Sequence, residues 1–220
     1  MSAMKRLLLL VGVALVAVAF AAPAAAQAEE PFWYLVEGEE EGEKVAESET
    51  EEGPEAESAE LEAPNEFTLT FSNGFAVGPC GFSRKLTLWN TETGGQTSTT
   101  AFNFAAPCNT SMAGCKATLA LSEGLPWPGV LNFVGVVPTE QIGTKAKPMT
   151  FKFVFGAGCG PLAGATVTAT AQGPVPAEHV GKGCYKFEKA GNFALSAKPL
   201  TATIDGEDCI AVMGKAAVAK

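Results

Sequence analysis

Six cysteines are the residues of this chain that could do chemistry together: Cys80, Cys108, Cys115, Cys159, Cys184 and Cys209. Cysteines in this number either form disulfides or bind zinc. A zinc site needs close pairs separated by roughly two to four residues, and the closest pair here, Cys108 and Cys115, is separated by six. Because the chain also has a single histidine, the pattern favours disulfides.

The sequence leaves many pairings open for six cysteines. We expect Cys108–Cys115 to clip a local loop, and Cys184–Cys209 and Cys80–Cys159 to form the other two disulfides. Closing a loop as long as the last would stabilise the fold by about 4 kcal/mol, through the entropy that the unfolded chain loses.

Motifs for catalysis or cofactor binding are weak. His179, the single histidine, is expected to be a solvated loop residue rather than a catalytic base. Gly158–Ala163 matches the G-x-G-x-x-A pattern, but dinucleotide binding needs a helix to follow, and Gly164–Thr168 has the pattern of a strand. We therefore predict no catalytic residue, no cofactor and no metal ligands, and an enzymatic activity is uncertain and less favoured.

Paired carboxylates also lack a setting for acid–base catalysis. Asp205–Asp208 is predicted to be the loop of a hairpin that joins the last two strands. Two carboxyl groups at a loop tip are not held in environments that separate their pKa values. In the acidic run Glu37–Glu66, whose glutamates are irregularly spaced, weak cation binding is an alternative to a purely solvated segment.

Two tryptophans could present an aromatic face to a ligand. Prolines fix the backbone on both sides of Trp127, and the alternation that turns Leu86 and Leu88 inward places Trp89 outside. Either ring could stack on a sugar. The alternative for Trp127 is that it covers one end of the core.

The elements that must position these residues are short strands. From Phe67 onward apolar and polar residues alternate with period two, over Phe67–Phe71, Lys85–Leu88, Lys116–Leu121, Thr150–Phe155, Ala165–Ala171, Phe193–Leu195, Leu200–Ile204 and Cys209–Met213. Turn-forming residues separate them, at 73–74, 94–95, 126–129, 156–160, 181–183 and 191–192. The pattern predicts an all-β fold, an antiparallel β-sandwich (or barrel-like) domain over residues 67–220.

Residues 1–28 have the layout of a secretory signal peptide. Two basic residues precede the apolar run Leu7–Phe20, and small residues follow it. We expect a signal helix that is cleaved after Ala26 or Ala28, and contact with a membrane only through the uncleaved segment. The expected location is therefore secreted, extracellular or in the cell envelope, where disulfides persist.

The chain after the signal segment begins with an acidic region, residues 29–66. Within it, Pro31–Val36 is apolar and aromatic and is predicted to dock on the domain as a short strand or clip. The region holds sixteen Glu and one Lys, whereas residues 67–220 hold twelve Lys and Arg against eight Asp and Glu. The Glu-rich part is therefore predicted to be flexible, and the weakly basic domain does not indicate nucleic-acid binding.

Several of these features together resemble a group of uncharacterised secreted bacterial proteins that are rich in β-structure. The features are Trp33-Tyr34 soon after the signal peptide, a cysteine after the first strand, the Cys108/Cys115 pair and Leu125–Pro128. The resemblance covers Pro31–Leu131, and the Glu-rich segment departs from it. It implies no activity, because none is established for the group.

The sequence thus predicts a secreted, non-enzymatic β domain with a structural or binding role at the cell exterior. Its partner is expected to be an envelope glycan or protein. The alternatives are a secreted hydrolase whose site the sequence patterns do not show, and a carbohydrate-binding module that uses Trp89 or Trp127.

Overall fold

The computed structural model describes residues 30–38, 42–48, 57–61, 65–104, 107–197, 199–213 and 215–220. The expected signal segment and much of the Glu-rich run lie outside the described residues. The described chain is all-β, with a single 3₁₀ helix at Ala157–Leu162. None of its helical structure is long and apolar enough to cross a membrane.

The strands of the described residues are β1 (Trp33–Val36), β2 (Glu43–Lys44), β3 (Glu57–Leu61), β4 (Glu66–Phe71), β5 (Ala76–Thr91), β6 (Gly94–Phe104), β7 (Cys108–Asn109), β8 (Lys116–Glu123), β9 (Trp127–Val134), β10 (Val137–Ile142), β11 (Thr150–Phe155), β12 (Thr166–Ala171), β13 (Val175–Gly181), β14 (Cys184–Leu195), β15 (Thr201–Val212) and β16 (Lys215–Ala219).

All these strands belong to one large antiparallel sheet. Successive pairings run β15–β4–β5–β6–β9–β10–β13–β14. Because β14 pairs again with β15, these strands form a closed cycle of hydrogen-bonded pairs. A branch runs from β14 through β12, β11 and β8 to β7. Strand β15 also pairs with β16, which in turn pairs with β1.

Alternating side chains of the sheet fill the core. On β11, Phe151, Phe153 and Phe155 are all buried, as the period-two pattern of Thr150–Phe155 predicts. Phe151 is in ring contact with Phe67, Phe102, Phe104, Trp127, Phe153 and Phe193. Complete burial of each such side chain stabilises the fold by about 1.5–3 kcal/mol.

The aromatic segment near the N-terminus is strand β1, which pairs antiparallel with β16. Trp33 is completely buried, and its indole Nε1–H donates to the carbonyl of Gln96 at 3.0 Å. The backbone N–H of Trp33 donates to Oδ1 of buried Asn90 at 2.8 Å, and Asn90 Nδ2 donates to the carbonyls of Trp33 and Val45. The segment is therefore part of the sheet and is anchored by one tryptophan and one asparagine.

Described parts of the acidic run are also paired, which differs from the flexible segment that its charge predicts. Strand β2 pairs with β1, and β3 pairs with both β15 and β5. Val45 and Ala59 are buried. These apolar side chains among the glutamates supply the burial that offsets charge repulsion.

The structure contains three disulfides, Cys80–Cys108, Cys115–Cys159 and Cys184–Cys209. The predicted Cys184–Cys209 pairing is confirmed: the two residues lie directly opposite each other on β14 and β15. The predicted Cys108–Cys115 and Cys80–Cys159 pairings are wrong.

The partners of the other cysteines follow from which strands are neighbours. A backbone bridge joins Val77 of β5 to the residue after β7, so Cys108 of β7 meets Cys80 of β5. Strand β8 pairs with β11, and therefore Cys115, just before β8, meets Cys159 in the 3₁₀ helix that follows β11. No local sequence pattern shows that these strands are neighbours.

Residues 205–208 do not form a hairpin loop. They continue β15 without a break, so the prediction of a loop at Asp205–Asp208 is wrong, and the predicted turns at 126–129 and 191–192 fall largely within β9 and β14. Over this stretch β15 pairs with β4 on one side and β14 on the other. These pairings override the turn preference of Asp and Gly.

Candidate functional site

Three charged side chains from three strands of the closed cycle meet in the core. Arg84 of β5, Glu140 of β10 and Asp208 of β15 are each at most 1 % exposed. Each shares the inward face of its strand with buried apolar residues two positions away: Phe82 and Leu86, Ile142, and Ile210. Because side chains alternate along a strand, this spacing carries all three charges into the interior.

Arg84 binds both carboxylates. Its Nη2 and Nη1 donate to Oε1 and Oε2 of Glu140 at 2.5 and 3.1 Å, and Nη1 also donates to Oδ2 of Asp208 at 2.9 Å. Its Nε donates to Thr99 Oγ1 at 2.7 Å, and Thr97 Oγ1 donates to Glu140 Oε1 at 2.8 Å. The planar fork of a guanidinium suits this two-point contact, which the single ammonium of lysine could not make.

The cluster has one positive and two negative charges when both carboxyl groups are ionised. Asp208 is the less satisfied of the two, because its Oδ1 is buried with no hydrogen-bond partner among the described residues. Burial raises the pKa of Asp208 to about 6, against the lowering effect of Arg84 and with a further contribution from Glu140. Burial lowers the pKa of Arg84, but Glu140 and Asp208 raise it by more, so the guanidinium stays charged.

A small cavity of about 10 Å³ adjoins Arg84 and Asp208. The rest of its lining is apolar and includes Phe102, Phe151 and Ile204. A space of this size corresponds to about one water molecule. This cavity therefore has no room for a substrate beside the cluster.

Tyr185 of β14 lies next to the cluster, and His179 of β13 packs against Tyr185. Tyr185 is completely buried, its hydroxyl donates to the carbonyl of Ala217 at 3.4 Å, and its ring packs against Trp33 and His179 at 5.6 and 5.1 Å. Burial, with the charges of Glu140 and Asp208, raises the pKa of Tyr185, so the phenol stays protonated.

His179 differs from the solvated loop residue that the sequence predicts. It lies on β13, directly opposite Tyr185, and its Nε2 is buried without a partner in the described part of the chain. Burial lowers the pKa of His179, and the imidazole is therefore neutral at neutral pH. Its packing on Tyr185 makes it a half-buried structural residue.

The two tryptophans proposed as ligand contacts differ in exposure. Trp127 is completely buried; its ring packs on Phe102 and Phe151, and its Nε1–H donates to the carbonyl of Glu123 at 3.2 Å. It therefore belongs to the core, and the prediction that it contacts a ligand is wrong. Trp89 is half-buried between the inward residues Leu88 and Asn90. Its ring is therefore partly accessible, unlike that of Trp127.

An open groove lies where β14 shifts register against β15. Two adjoining depressions of about 500 and 320 Å³ share Asp205, whose Oδ1 accepts the backbone N–H of Lys189 at 2.9 Å. Lys189 has a positive φ of 43°. Bulges of this kind occur frequently beside binding sites, but Lys186, Glu188 and the other charged side chains along the groove are of both signs and solvated.

Cys184, Glu207 and Cys209 place three potential metal-binding atoms within 4.8 Å of one another. The two sulfurs are bonded to each other, and a disulfide sulfur lacks the thiolate charge that binds a metal. In this oxidation state the three residues do not form a metal site.

Sequence reasoning missed the cluster, although two of its members follow from alternation. Extending the pattern of Lys85–Leu88 back by one residue places Arg84 on the inward face, and counting on by twos from Ile204 places Asp208 there as well. The assignment of residues 205–208 to a loop concealed the second signal. Glu140 lies in a short strand with no clear alternation.

Comparison of the chain with protein-family models, with curated proteins and with solved structures gives no match.

Proposed function

We propose that this protein is a secreted, disulfide-stapled β domain with a structural or binding role at the cell exterior, and that it is not an enzyme. The observation that carries this proposal is the burial of Arg84, Glu140 and Asp208, which are at most 1 % exposed. A catalytic acid or base must come within hydrogen-bond reach of its substrate. Sealed in the core, these groups contribute to folding and specificity instead.

The disulfides support the secreted location. All six cysteines are paired, and disulfides persist mainly in oxidising compartments. Together with the signal-peptide pattern of residues 1–28, this favours export, with the cell envelope or the medium as the destination.

We also favour the barrel-like form of the predicted fold over the sandwich. The pairing of β14 with β15 returns the sheet to its starting strand, and a sheet closed on itself leaves no free edge along that cycle. Two separate sheets, as in a sandwich, would not need this pairing.

Export and disulfide formation are tested on full-length chain expressed in a bacterial host. We expect protein in the medium or periplasm that begins at Gln27 or Glu29 by mass spectrometry, and no reactive thiol when it is unfolded without reductant. Retention of residues 1–28 together with several reactive thiols would contradict the proposal.

The binding role is tested by mixing the purified protein with isolated bacterial envelopes. A binding protein sediments with them and releases nothing, whereas a hydrolase releases soluble sugar or peptide fragments, and this second result would overturn the non-enzymatic assignment. Trp89→Ala tests sugar stacking, because it removes the partly accessible ring and leaves the buried neighbours Leu88 and Asn90 unchanged. Sedimentation that is unchanged in Trp89→Ala removes the carbohydrate-binding alternative.

A further inference from the structure

We propose that the Arg84–Glu140–Asp208 cluster is a proton-binding site, at which Asp208 takes up one proton as the pH falls, so that this site stabilises the folded chain more in mildly acidic than in neutral surroundings. This pH response goes beyond the proposed structural or binding role and does not depend on it.

The charge balance of the cluster carries the inference. One guanidinium faces two carboxylates, and all three groups are at most 1 % exposed. With both carboxyl groups ionised the core therefore holds one unbalanced negative charge, and a buried charge without a partner is costly. A single added proton leaves a neutral cluster in which the two-point contact of Arg84 with Glu140 is intact.

The hydrogen bonds decide which carboxyl group takes the proton. Glu140 accepts from Nη1 and Nη2 of Arg84 and from Thr97 Oγ1, so each of its oxygens has a donor. Asp208 accepts only at Oδ2, from Arg84, while its Oδ1 is buried without a partner among the described residues. Donors stabilise the ionised form, and protonation therefore falls on Asp208.

The neighbouring titratable groups act in both directions: Arg84 favours the ionised form of Asp208, whereas Glu140 and Glu207 favour its protonated form. Arg84 acts on Asp208 from β5, and Glu140 acts on it from β10. Glu207 adds repulsion from the adjacent position on β15. Tyr185 of β14 has a raised pKa and remains protonated. His179 of β13 packs on Tyr185, and its lowered pKa opposes the effect of Asp208, because a folded state that keeps the imidazole neutral loses stability as the unfolded chain takes up that proton.

The sign of the pH dependence follows from the two pKa values of Asp208, 3.8 as the reference and about 6 in the folded chain. Between these two pH values Asp208 binds more protons in the folded state than in the unfolded state. The stability that Asp208 contributes therefore rises as the pH falls through about 6, and it is lost as the pH rises again. The whole shift of the Asp208 pKa corresponds to a change of about a hundredfold in the folding equilibrium constant. The step from pH 7 to pH 5 accounts for a change of about tenfold.

The direct test is a ¹³C NMR titration of the Asp208 carboxyl carbon in the oxidised full-length protein. We expect a midpoint near pH 6. A midpoint at or below that of exposed aspartates would overturn the proposal, and this measurement needs no variant.

Urea unfolding at pH 7 and pH 5 gives the thermodynamic test, in the wild type, in Asp208→Asn and in Glu178→Gln. Asn keeps the size of the side chain but cannot titrate, whereas Glu178 is an exposed carboxylate on β13 and serves as the matched control. We expect the ratio of the folding equilibrium constants at pH 5 and pH 7 to be roughly tenfold larger in the wild type and in Glu178→Gln than in Asp208→Asn, because other titrating groups, His179 included, contribute alike to the wild type and to Asp208→Asn. An equal gain in all three proteins assigns the pH response elsewhere and refutes the role of Asp208.

Discussion

At the scale of single residues, the charge cluster stabilises the fold only as a complete unit. Bringing Arg84, Glu140 and Asp208 out of water costs several kcal/mol for each ion, and their mutual attraction and hydrogen bonds offset that cost only while every partner is present. The cluster therefore adds little net stability, and its main effect is to specify one arrangement of β5, β10 and β15.

Removal of the cation is predicted to be severe. Arg84→Met fills much of the same volume but leaves Glu140 and Asp208 side by side without a positive charge, and we expect it to destabilise the fold by about 3–5 kcal/mol in urea unfolding at neutral pH. Lys152→Met is the control, because it removes the exposed pair of Lys152 with Glu123, whose side chains are 36 % and 54 % exposed. That change should cost under about 1 kcal/mol, and equal costs for the two variants would refute the argument.

At the scale of elements, the strands that alternation predicts best are those with apolar residues at every inward position. The boundaries of β11 are correct as predicted, and β4, β8 and β12 differ from their predicted bounds by one or two residues. The pattern predicts two separate strands where the structure has only β15. The reason is that Gly206 and Asp208 stand at positions where alternation requires an apolar residue. Local pattern fails there because pairing with two neighbouring strands, a long-range effect, outweighs local preference.

The site was less predictable than the fold for the same reason. Arg84, Glu140 and Asp208 are far apart in the sequence, and only the closed cycle of strands brings them together. Alternation can place Arg84 inward, but it cannot state which charges it will meet. The two incorrect disulfide predictions have the same origin, because Cys80 and Cys159 find their partners through strand neighbours and not through spacing.

The N-terminal strand β1 is predicted to contribute strongly through one residue. Trp33→Ala removes a completely buried indole and its hydrogen bond to Gln96, and we expect a loss of about 3–5 kcal/mol in urea unfolding. Tyr34 is the next residue of the same strand, on its more exposed face, so Tyr34→Ala should cost clearly less. A loss for Trp33→Ala no larger than for Tyr34→Ala would show that β1 is not anchored as described.

The disulfides are predicted to differ in their access to reductant. Cys184 and Cys209 are partly exposed, whereas the other four cysteines are at most 2 % exposed. Because thiol–disulfide exchange needs the attacking thiolate to reach a sulfur, limited reduction by a small dithiol followed by alkylation and peptide mapping should label Cys184 and Cys209 first. Earlier labelling of any buried cysteine would contradict this order.

At the scale of the whole molecule, one disulfide and the charge cluster connect strands of the cycle. The pairing of β14 with β15 closes the cycle, and Cys184–Cys209 joins these two strands directly. Arg84 connects β5 to β10 and β15 across the interior, so that strands distant along the cycle are tied through the core. The β14–β15 pairing and the interior contacts of Arg84 together favour one arrangement of these strands.

The closed arrangement predicts a specific pattern of amide exchange. If β14 and β15 close the sheet, the backbone amides of Tyr185–Phe187 are hydrogen-bonded on a strand with neighbours on both sides, and they should exchange as slowly as those of β5 and β6. Lys44, on the two-residue strand β2, which pairs only with β1 among the described strands, should exchange much faster because an exposed edge strand opens without disturbing the core. Hydrogen–deuterium exchange followed by mass spectrometry or NMR on the oxidised protein distinguishes the two classes. Exchange at Tyr185–Phe187 as fast as at Lys44 would mean that the pairing between β14 and β15 is open in solution. The sheet would then be an open one despite the Cys184–Cys209 disulfide.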